Sequence, residues 1–240
     1  GGCTITNDTS FLNTGTTTIG NNAGDSSTFT GGLVATAGPV NIAGTVATTN
    51  TAMTLGATSQ TANSTLKSGE GAITVASMTG DFDLTLQSDE TGATGGVTFT
   101  GNLTANDLIT FIKGYSVTLQ GTSNEIDSET NFLNTGTTTI GNNAGDSSTF
   151  RDGLISTSGP VSIAGTITVS NGDNEMRFGT TTVSDDSALD PPPSEGVGTP
   201  LIFFEGALTI NDAKTLIAGN DNNTSISFGS TIDSASGGTG

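Results

Sequence analysis

The sequence contains one stretch of nineteen residues twice, letter for letter. Residues 11–29 read FLNTGTTTIGNNAGDSSTF, and residues 132–150 repeat them at an offset of 132 − 11 = 121. Self-similarity at a fixed period is the sequence signature of repeat architectures, in which one structural unit stacks on copies of itself. The fold is therefore expected to be one in which this segment can be joined to another copy.

The similarity extends beyond the identical stretch. Residues 11–50 align with 132–171 without a gap, and the substitutions keep polarity, as when Val34 becomes Ile155 and Asn41 becomes Ser162. Apolar positions that stay apolar indicate a shared backbone path. We therefore predict two copies, 1–121 and 122–240, in which residues 121 apart occupy equivalent positions in the 11–50 and 132–171 blocks.

Further along, the alignment requires gaps. Residues 53–56 match 176–179 at an offset of 123, and 70–75 match 205–210 at an offset of 135, so the second copy carries 135 − 123 = 12 extra residues. We place this insertion at 185–200, where three prolines stand at 191–193. Proline cannot donate a hydrogen bond to a strand ladder. The sequence therefore predicts a surface loop over 185–200.

Short apolar–polar–apolar triplets recur along the chain and are followed by glycine or asparagine. Period-two alternation predicts strands with one buried face, and glycine and asparagine suit sharp corners. No stretch shows sustained helical periodicity. The residues expected to point inward are Val40, Ile42, Ile73, Val75, Val97, Phe99, Val161, Ile163, Leu208 and Ile210.

Composition favours stacked turns over a sandwich. Hydrophobic residues make up 32% of the chain and 35 of 240 residues are glycine, so any core is thin. Stacked turns bury such a core on their neighbours, at roughly 20–24 residues per turn. We predict an all-β fold, a single parallel β-solenoid over 1–240, with about ten to twelve turns.

Three Gly/Thr-rich stretches carry a family resemblance: GLVATAGPVNIAGTV at 32–46, GEGAITVAS at 69–77 and GGVTFTGNLTAN at 95–106. They resemble the strand repeats of bacterial surface proteins, notably filamentous-haemagglutinin-like adhesins and autotransporter passengers. The resemblance implies a right-handed parallel β-helix, secretion from a bacterial cell, and a role in adhesion or surface fibres. It also implies a surface glycan or a host receptor as a possible partner.

The charge limits the partners. The chain has 23 acidic and five basic residues, a net charge of −18. Such a surface repels the phosphate backbone of nucleic acids and anionic membranes, and it attracts divalent cations. No apolar run approaches the roughly 20 residues of a membrane-spanning helix. We expect neither nucleic-acid binding nor membrane insertion. Cys3 is the single cysteine, so no intrachain disulfide can form.

Two groups of carboxylates are candidates for glycosidase or lyase chemistry. A glycosidase needs two carboxylates facing each other across a bond, and a lyase needs a base with a lysine or arginine. Asp81 and Asp83 are spaced to share one face of a strand, and Asp185, Asp186 and Asp190 form the second group. The basic residues are scattered and tryptophan is absent. We predict solvated corners, no catalytic residues and no enzymatic activity; a carbohydrate-active β-helix and a ligand-binding module are the alternatives.

Asparagine-rich turns at 21–25, 142–146 and 220–223 offer oxygen atoms of the kind that calcium binds. Their carboxylates, Asp25, Asp146 and Asp221, are the metal candidates. No EF-hand or nonapeptide calcium motif occurs, and such sequences more often form plain turns, so no cofactor is predicted and calcium is possible. Thr-x-Thr pairs, such as 98–100 and 166–168, lack the regular spacing that ice binding needs.

Neither terminal stretch shows the features of a capping unit, because strand patterns start by Ile5 and continue to Ile232. An open turn exposes unpaired strand edges. We predict that the rod continues end to end, in a longer chain or by subunit stacking. The predicted function is a non-enzymatic extracellular structural or adhesive segment of a bacterial surface fibre.

Overall fold

A computed structural model describes residues 1–88, 92–171, 175–191, 201–219 and 224–235. Within these ranges all regular structure is β-strand and no helix occurs. The first thirteen strands are β1 (Gly2–Ile5), β2 (Thr9–Ser10), β3 (Thr17–Ile19), β4 (Ser26–Phe29), β5 (Leu33–Ala35), β6 (Val40–Thr48), β7 (Met53–Lys67), β8 (Ile73–Thr79), β9 (Leu84–Leu86), β10 (Val97–Phe99), β11 (Thr104–Ala105), β12 (Leu108–Ile109) and β13 (Val117–Leu119).

The chain continues with thirteen further strands in the described residues: β14 (Ser123–Ile126), β15 (Thr130–Asn131), β16 (Thr138–Ile140), β17 (Ser147–Phe150), β18 (Leu154–Ser156), β19 (Val161–Val169), β20 (Met176–Phe178), β21 (Thr181–Asp190), β22 (Leu201–Phe204), β23 (Leu208–Ile210), β24 (Leu216–Ala218), β25 (Ser225–Phe228) and β26 (Ile232–Ser234).

All these strands pair in parallel, and the pairings form three ladders that run along the molecule. Ladder 1 contains β1, β4, the end of β6, the end of β7, β9, β12, β15, β18, β20, β22 and β25. Ladder 2 contains β2, β5, the starts of β7 and β8, β10, β13, β16, the starts of β19 and β21, β23 and β26. Ladder 3 contains β3, the start of β6, the middle of β7, the end of β8, β11, β14, β17, the ends of β19 and β21, and β24.

The chain visits ladders 1, 2 and 3 in turn, so the described strands make about ten turns and begin another. The predicted all-β parallel β-solenoid is confirmed. The paired residues of successive turns lie between 58 − 40 = 18 and 216 − 187 = 29 residues apart. At about 4.8 Å per turn, ten turns form a rod about 50 Å long.

Ladder 1 has one irregular step, between β12 and β15. There the Thr110 hydroxyl donates to the main-chain oxygen of Asn131 at 3.1 Å and accepts from the amide of Leu133 at 2.8 Å. Thr110 is 2% exposed. A buried side chain thus supplies the hydrogen bonds that backbone pairing supplies elsewhere, which keeps the stack continuous.

One continuous apolar core fills the solenoid. Of the ten residues predicted to point inward, nine are buried, and Ile210 is half-buried against the core. Like residues stack on like in successive turns: the rings of Phe178 and Phe204 lie 5.5 Å apart, and those of Phe204 and Phe228 also 5.5 Å. Because each side chain packs on the turns above and below, the core has no centre and runs along the rod.

The two copies of the repeat have the same local pairing but lie on different ladders. Ser26 pairs with Thr45 in ladder 1, whereas Ser147 pairs with Thr166 in ladder 3. The 121 residues therefore carry the chain through five turns and two further strand positions. Residues 121 apart were predicted to occupy equivalent positions within a turn, and this prediction is wrong. Because 121 residues are not a whole number of turns, the two copies lie on different ladders.

The gapped part of the alignment also needs correction. Met53 pairs with Ile73, and its counterpart Met176 pairs with Ile202, so the counterpart of Ile73 is Ile202 and not Leu208. The offset at this point becomes 202 − 73 = 129, so the second copy carries 129 − 123 = 6 extra residues instead of the predicted twelve.

The loop predicted at 185–200 is wrong at its start. Residues 187–190 form the end of β21 and pair with β19. The extra residues therefore follow Asp190, and 192–200 lie outside the described residues.

Candidate functional site

The two asparagine-rich turns have the same internal hydrogen bonding. The Asp146 carboxylate accepts hydrogen bonds from the amides of Asn142 and Asn143, both at 2.9 Å. Asp25 accepts from the amides of Asn21 and Asn22 at 3.0 and 3.2 Å. Each carboxylate thereby closes its own turn.

The pKa of Asp25 is lowered to about 2, first by the amide of Asn21 and then by the N-terminal ammonium group of Gly1, which also pairs with this carboxylate. Both contacts favour the charged form. Asp25 and Asp146 therefore stabilise their turns through these hydrogen bonds. Asp221 lies outside the described residues. In the described part of the chain, no three Asp, Glu, Cys or His residues group as a metal site.

Asp81 and Asp83 lie at the corner before β9, as predicted, and not on a strand face. Asp81 is exposed, whereas Asp83 accepts hydrogen bonds from Asn63 at 2.9 Å and Asn106 at 2.6 Å through its two carboxylate oxygens. Asn63 belongs to the turn before and Asn106 to the turn after. Asp83 thus joins three successive turns at one corner of the rod.

Asp107 lies beside this corner. Its pKa is raised, first by burial and then by the negative charge of Asp83. Burial and a like charge both disfavour the ionised form. Asp107 is thus a single carboxyl group of raised pKa beside Asp83, whose carboxylate is already hydrogen-bonded. The main-chain oxygen of Asp107 accepts a hydrogen bond from the amide of Leu84 at 2.8 Å within ladder 1.

The second acidic group is also held by neighbours. Lys214 donates to Asp185 at 2.6 Å, which lowers the pKa of the carboxyl and raises that of the ammonium group. Asp186 accepts the amide of Thr215 at 2.8 Å. Both aspartates lie at the corner of β21 between ladders 2 and 3, and Asp190 projects from the end of that strand.

Two arginines form ion pairs, which with the exception of Arg177–Glu175 join successive turns. Arg151 contacts Glu125 and Asp127, and the pKa of its guanidinium is raised, first by the hydrogen bond with Glu125. Arg177 bonds Glu175 at 3.0 Å and also contacts Glu205. These pairs are solvent-exposed, so they contribute little to stability.

Tyr115 and Gln87 are two of the polar side chains buried in the described core. Tyr115 is fully buried, and burial raises its pKa to about 12. Its hydroxyl accepts the amide of Phe111 at 3.0 Å and donates to the main-chain oxygen of Leu86 at 3.2 Å. Gln87 accepts the amide of Ser68 at 2.9 Å and donates to the main-chain oxygen of Gly95 at 2.9 Å. Both side chains fill corners of the core and are satisfied there.

The most regular surface feature lies on the outside of ladder 2. Eight consecutive strands place a hydroxyl-bearing residue at the same register position, pointing outward between two inward residues. We call this set the hydroxyl column; it consists of Thr54, Thr74, Thr98, Thr118, Thr139, Ser162, Thr182 and Thr209.

The hydroxyl column was missed from the sequence, although its members are the central residues of triplets such as 73–75 and 97–99. Thr-x-Thr pairs in the sequence do not mark it, because each turn of ladder 2 contributes a single outward residue. Only the pairing of strands shows which threonines line up.

The described residues include no helix long and apolar enough to span a membrane. Comparison with known proteins finds no matching family model, no matching curated protein and no matching solved structure.

Proposed function

We propose that this chain is a non-enzymatic structural or adhesive segment of an extracellular bacterial surface fibre, built as a right-handed β-helix and extended end to end. One observation supports the axial part of the proposal. The turns at the two ends of the described rod leave inward side chains partly exposed: Ile5 is 38% exposed, Phe228 45% and Ile232 55%.

The same positions one turn further in are buried. Ile5 pairs with Phe29, which is 2% exposed, and Phe228 pairs with Phe204, which is 1% exposed. A further turn stacked on either end would bury these side chains and pair the free strand edges. Such a turn belongs either to a longer chain or to a second copy; a head-to-tail contact between copies does not close on itself and so can propagate into a filament.

The charge favours axial growth over bundling. A net charge of −18 on a rod repels neighbouring rods side by side, and salt screens this repulsion over about 10 Å at 0.1 M. The inward residues at the ends are apolar, so stacking there joins apolar surfaces. A surface glycan or host receptor remains a proposed partner of the fibre, inferred from the family resemblance.

The test is negative-stain electron microscopy with sedimentation velocity over a range of protein concentrations. We expect rods longer than about 50 Å, the length of ten stacked turns. Phe228→Lys should stop elongation because it places a charge in the axial contact, and Ser227→Lys is the matched control, since the neighbouring residue points outward. Rods of single-chain length at every concentration would contradict the stacking of copies, as would equal elongation by both variants.

A further inference from the structure

The hydroxyl column is regular in space over eight turns. Its members pair directly with one another in the parallel register of ladder 2, from Thr54 through to Thr209. Parallel strands are spaced by about 4.8 Å, so the column extends over about 34 Å. A ligand that recognises the whole column must itself repeat at this spacing.

The hydroxyls of the column are available to a ligand. All eight side chains are half-exposed, and none forms a hydrogen bond to another described residue. Threonines facing the corners or the core behave differently: Thr58 donates to the main-chain oxygen of Gly56 at 3.0 Å, and Thr181 to that of Gly179 at 2.9 Å. The column's donors and acceptors therefore point away from the protein.

The positions that flank the column along its own strands carry no charged residue, and the first charged residue at the column's register position is Asp233 in the next strand, β26. The residues two positions before each member are Ala52, Ala72, Gly96, Ser116, Thr137, Pro160, Thr180 and Ala207; those two positions after are Gly56, Ala76, Thr100, Gln120, Gly141, Ala164, Ser184 and Asn211. None is charged, in a chain of net charge −18, and nearly all are small. Over the eight strands of the column, the outside of ladder 2 is thus a neutral strip, complementary to a neutral surface and not to an ionic one.

We propose that the outer surface of ladder 2 binds ice. Each hydroxyl can join the hydrogen-bonded lattice of water, and each threonine methyl group can fit between lattice sites. Like oxygen atoms along the a axis of hexagonal ice repeat at nearly the strand spacing of the ladder. Single contacts of this kind are weak, but contacts fixed in one rigid row act together, since every contact after the first is intramolecular.

A crystalline polysaccharide is the other neutral periodic surface to be considered. Sugar rings bind largely by stacking on aromatic side chains, and the chain has no tryptophan. Its single tyrosine, Tyr115, is buried, and no aromatic residue belongs to the column or to the sixteen positions beside it. Hydroxyl and methyl groups alone suit water, so the observations favour ice.

The inference does not depend on the proposed fibre. The 240-residue chain is tested by thermal hysteresis, inhibition of ice recrystallisation, and partition into a slowly growing ice hemisphere. We expect faceted ice crystals, a measurable hysteresis gap and enrichment of the protein in ice. If the chain forms filaments but leaves ice growth unchanged, only the proposed ice-binding site is contradicted. If the chain stays monomeric and shapes ice, only the proposed stacking of copies is contradicted.

Variants locate the site. Thr118→Lys and Thr139→Lys put a long charged side chain in the middle of the strip and should abolish most of the hysteresis and the partition into ice. Thr168→Lys is the matched control, because Thr168 is an equally half-exposed outward residue on ladder 3; its activity should equal that of the parent chain. Circular dichroism and melting curves verify that all three variants fold.

Three results would overturn the proposal: no effect of the parent chain on ice, equal loss in the ladder 2 and ladder 3 variants, or adsorption to crystalline cellulose or chitin without an effect on ice.

Discussion

Gly165 is a position where one added methyl group should be strongly destabilising. It follows the repeated turn, with φ of +76°, and a Cβ built on it would lie 2.2 Å from the main-chain oxygen of Asp146 and 2.9 Å from that of Asn143. Both contacts are to backbone, which cannot rotate away. The Gly165→Ala variant must therefore either strain its own backbone or move the turn.

The cost has two parts. An alanine in the left-handed region costs about 1–2 kcal/mol, and forcing a methyl group into filled space costs about 1–3 kcal/mol more. We expect a loss of about 2–5 kcal/mol in the free energy of unfolding. For a chain of this size each kcal/mol lowers the melting temperature by about 2–4 °C, so the variant should melt roughly 5–20 °C lower.

Urea titration followed by circular dichroism measures the loss. Gly145→Ala is the control, because Gly145 lies in the same turn, has no positive φ and has nothing within 4 Å of its Cβ position; we expect a change within about 0.5 kcal/mol. Gly44, the counterpart in the first copy, has φ of +69° and a Cβ position 2.3 Å from the main-chain oxygen of Asp25. Equal stability of Gly165→Ala and Gly145→Ala would refute the described packing of the turn.

Three further predictions concern other described residues. Asp146→Ala should lower the free energy of unfolding by about 2–4 kcal/mol, because two amides lose a charged acceptor. Urea titration should show the same loss in calcium and in EDTA, whereas a loss seen only with calcium would show that Asp146 is a metal ligand. Phe204→Ala should cost about 3–5 kcal/mol as a buried large-to-small change, against a much smaller loss for its outward neighbour Phe203→Ala; similar losses would contradict the inward ring stack. Asp25 should titrate near pH 2, against 3.8 for a free carboxyl, so its stabilising effect is complete above pH 4 and is lost as the pH falls through 2. An NMR titration that follows the carboxyl carbon of Asp25 measures this pKa, and acetylation of Gly1 should raise it. A midpoint near pH 4 would contradict the hydrogen bonding of this carboxylate.

The sequence predicted the fold and most of its inward residues because both depend on local pattern. A triplet such as 97–99 alternates with period two, and its end residues, Val97 and Phe99, are fully buried. Burying one side of a short strand is the same physical requirement in each ladder. Local pattern therefore identifies strands and corners well.

The same uniformity explains why the placement of the repeat copies failed. The three ladders surround one shared apolar core, so a strand that fits ladder 1 also fits ladder 3. Residues 26–29 and 147–150 are identical and have the same kind of partners, yet they lie on different ladders. Position around the rod depends on how many strands precede a residue, and no local signal contains that count.

The candidate sites show the same limit. The sequence predicted a solvated corner for Asp83, and the residue does lie at a corner, but it is half-buried there and accepts hydrogen bonds from Asn63 and Asn106, which the sequence did not indicate. Those partners are 83 − 63 = 20 and 106 − 83 = 23 residues away, one turn in each direction. The chemistry of a solenoid corner is decided between turns, so it becomes visible only when the length of each turn is known.

The hydroxyl column shows why regular spacing in space can look irregular in sequence. Neighbouring members are between 74 − 54 = 20 and 209 − 182 = 27 residues apart, so no fixed period in the sequence connects them. Corners absorb the difference, because a loop can gain residues without moving the strands that it joins. Backbone hydrogen bonding then restores one repeat of about 4.8 Å per turn whatever the loop lengths. Changing a corner's length should therefore leave ice binding intact, whereas changing a single outward threonine should not.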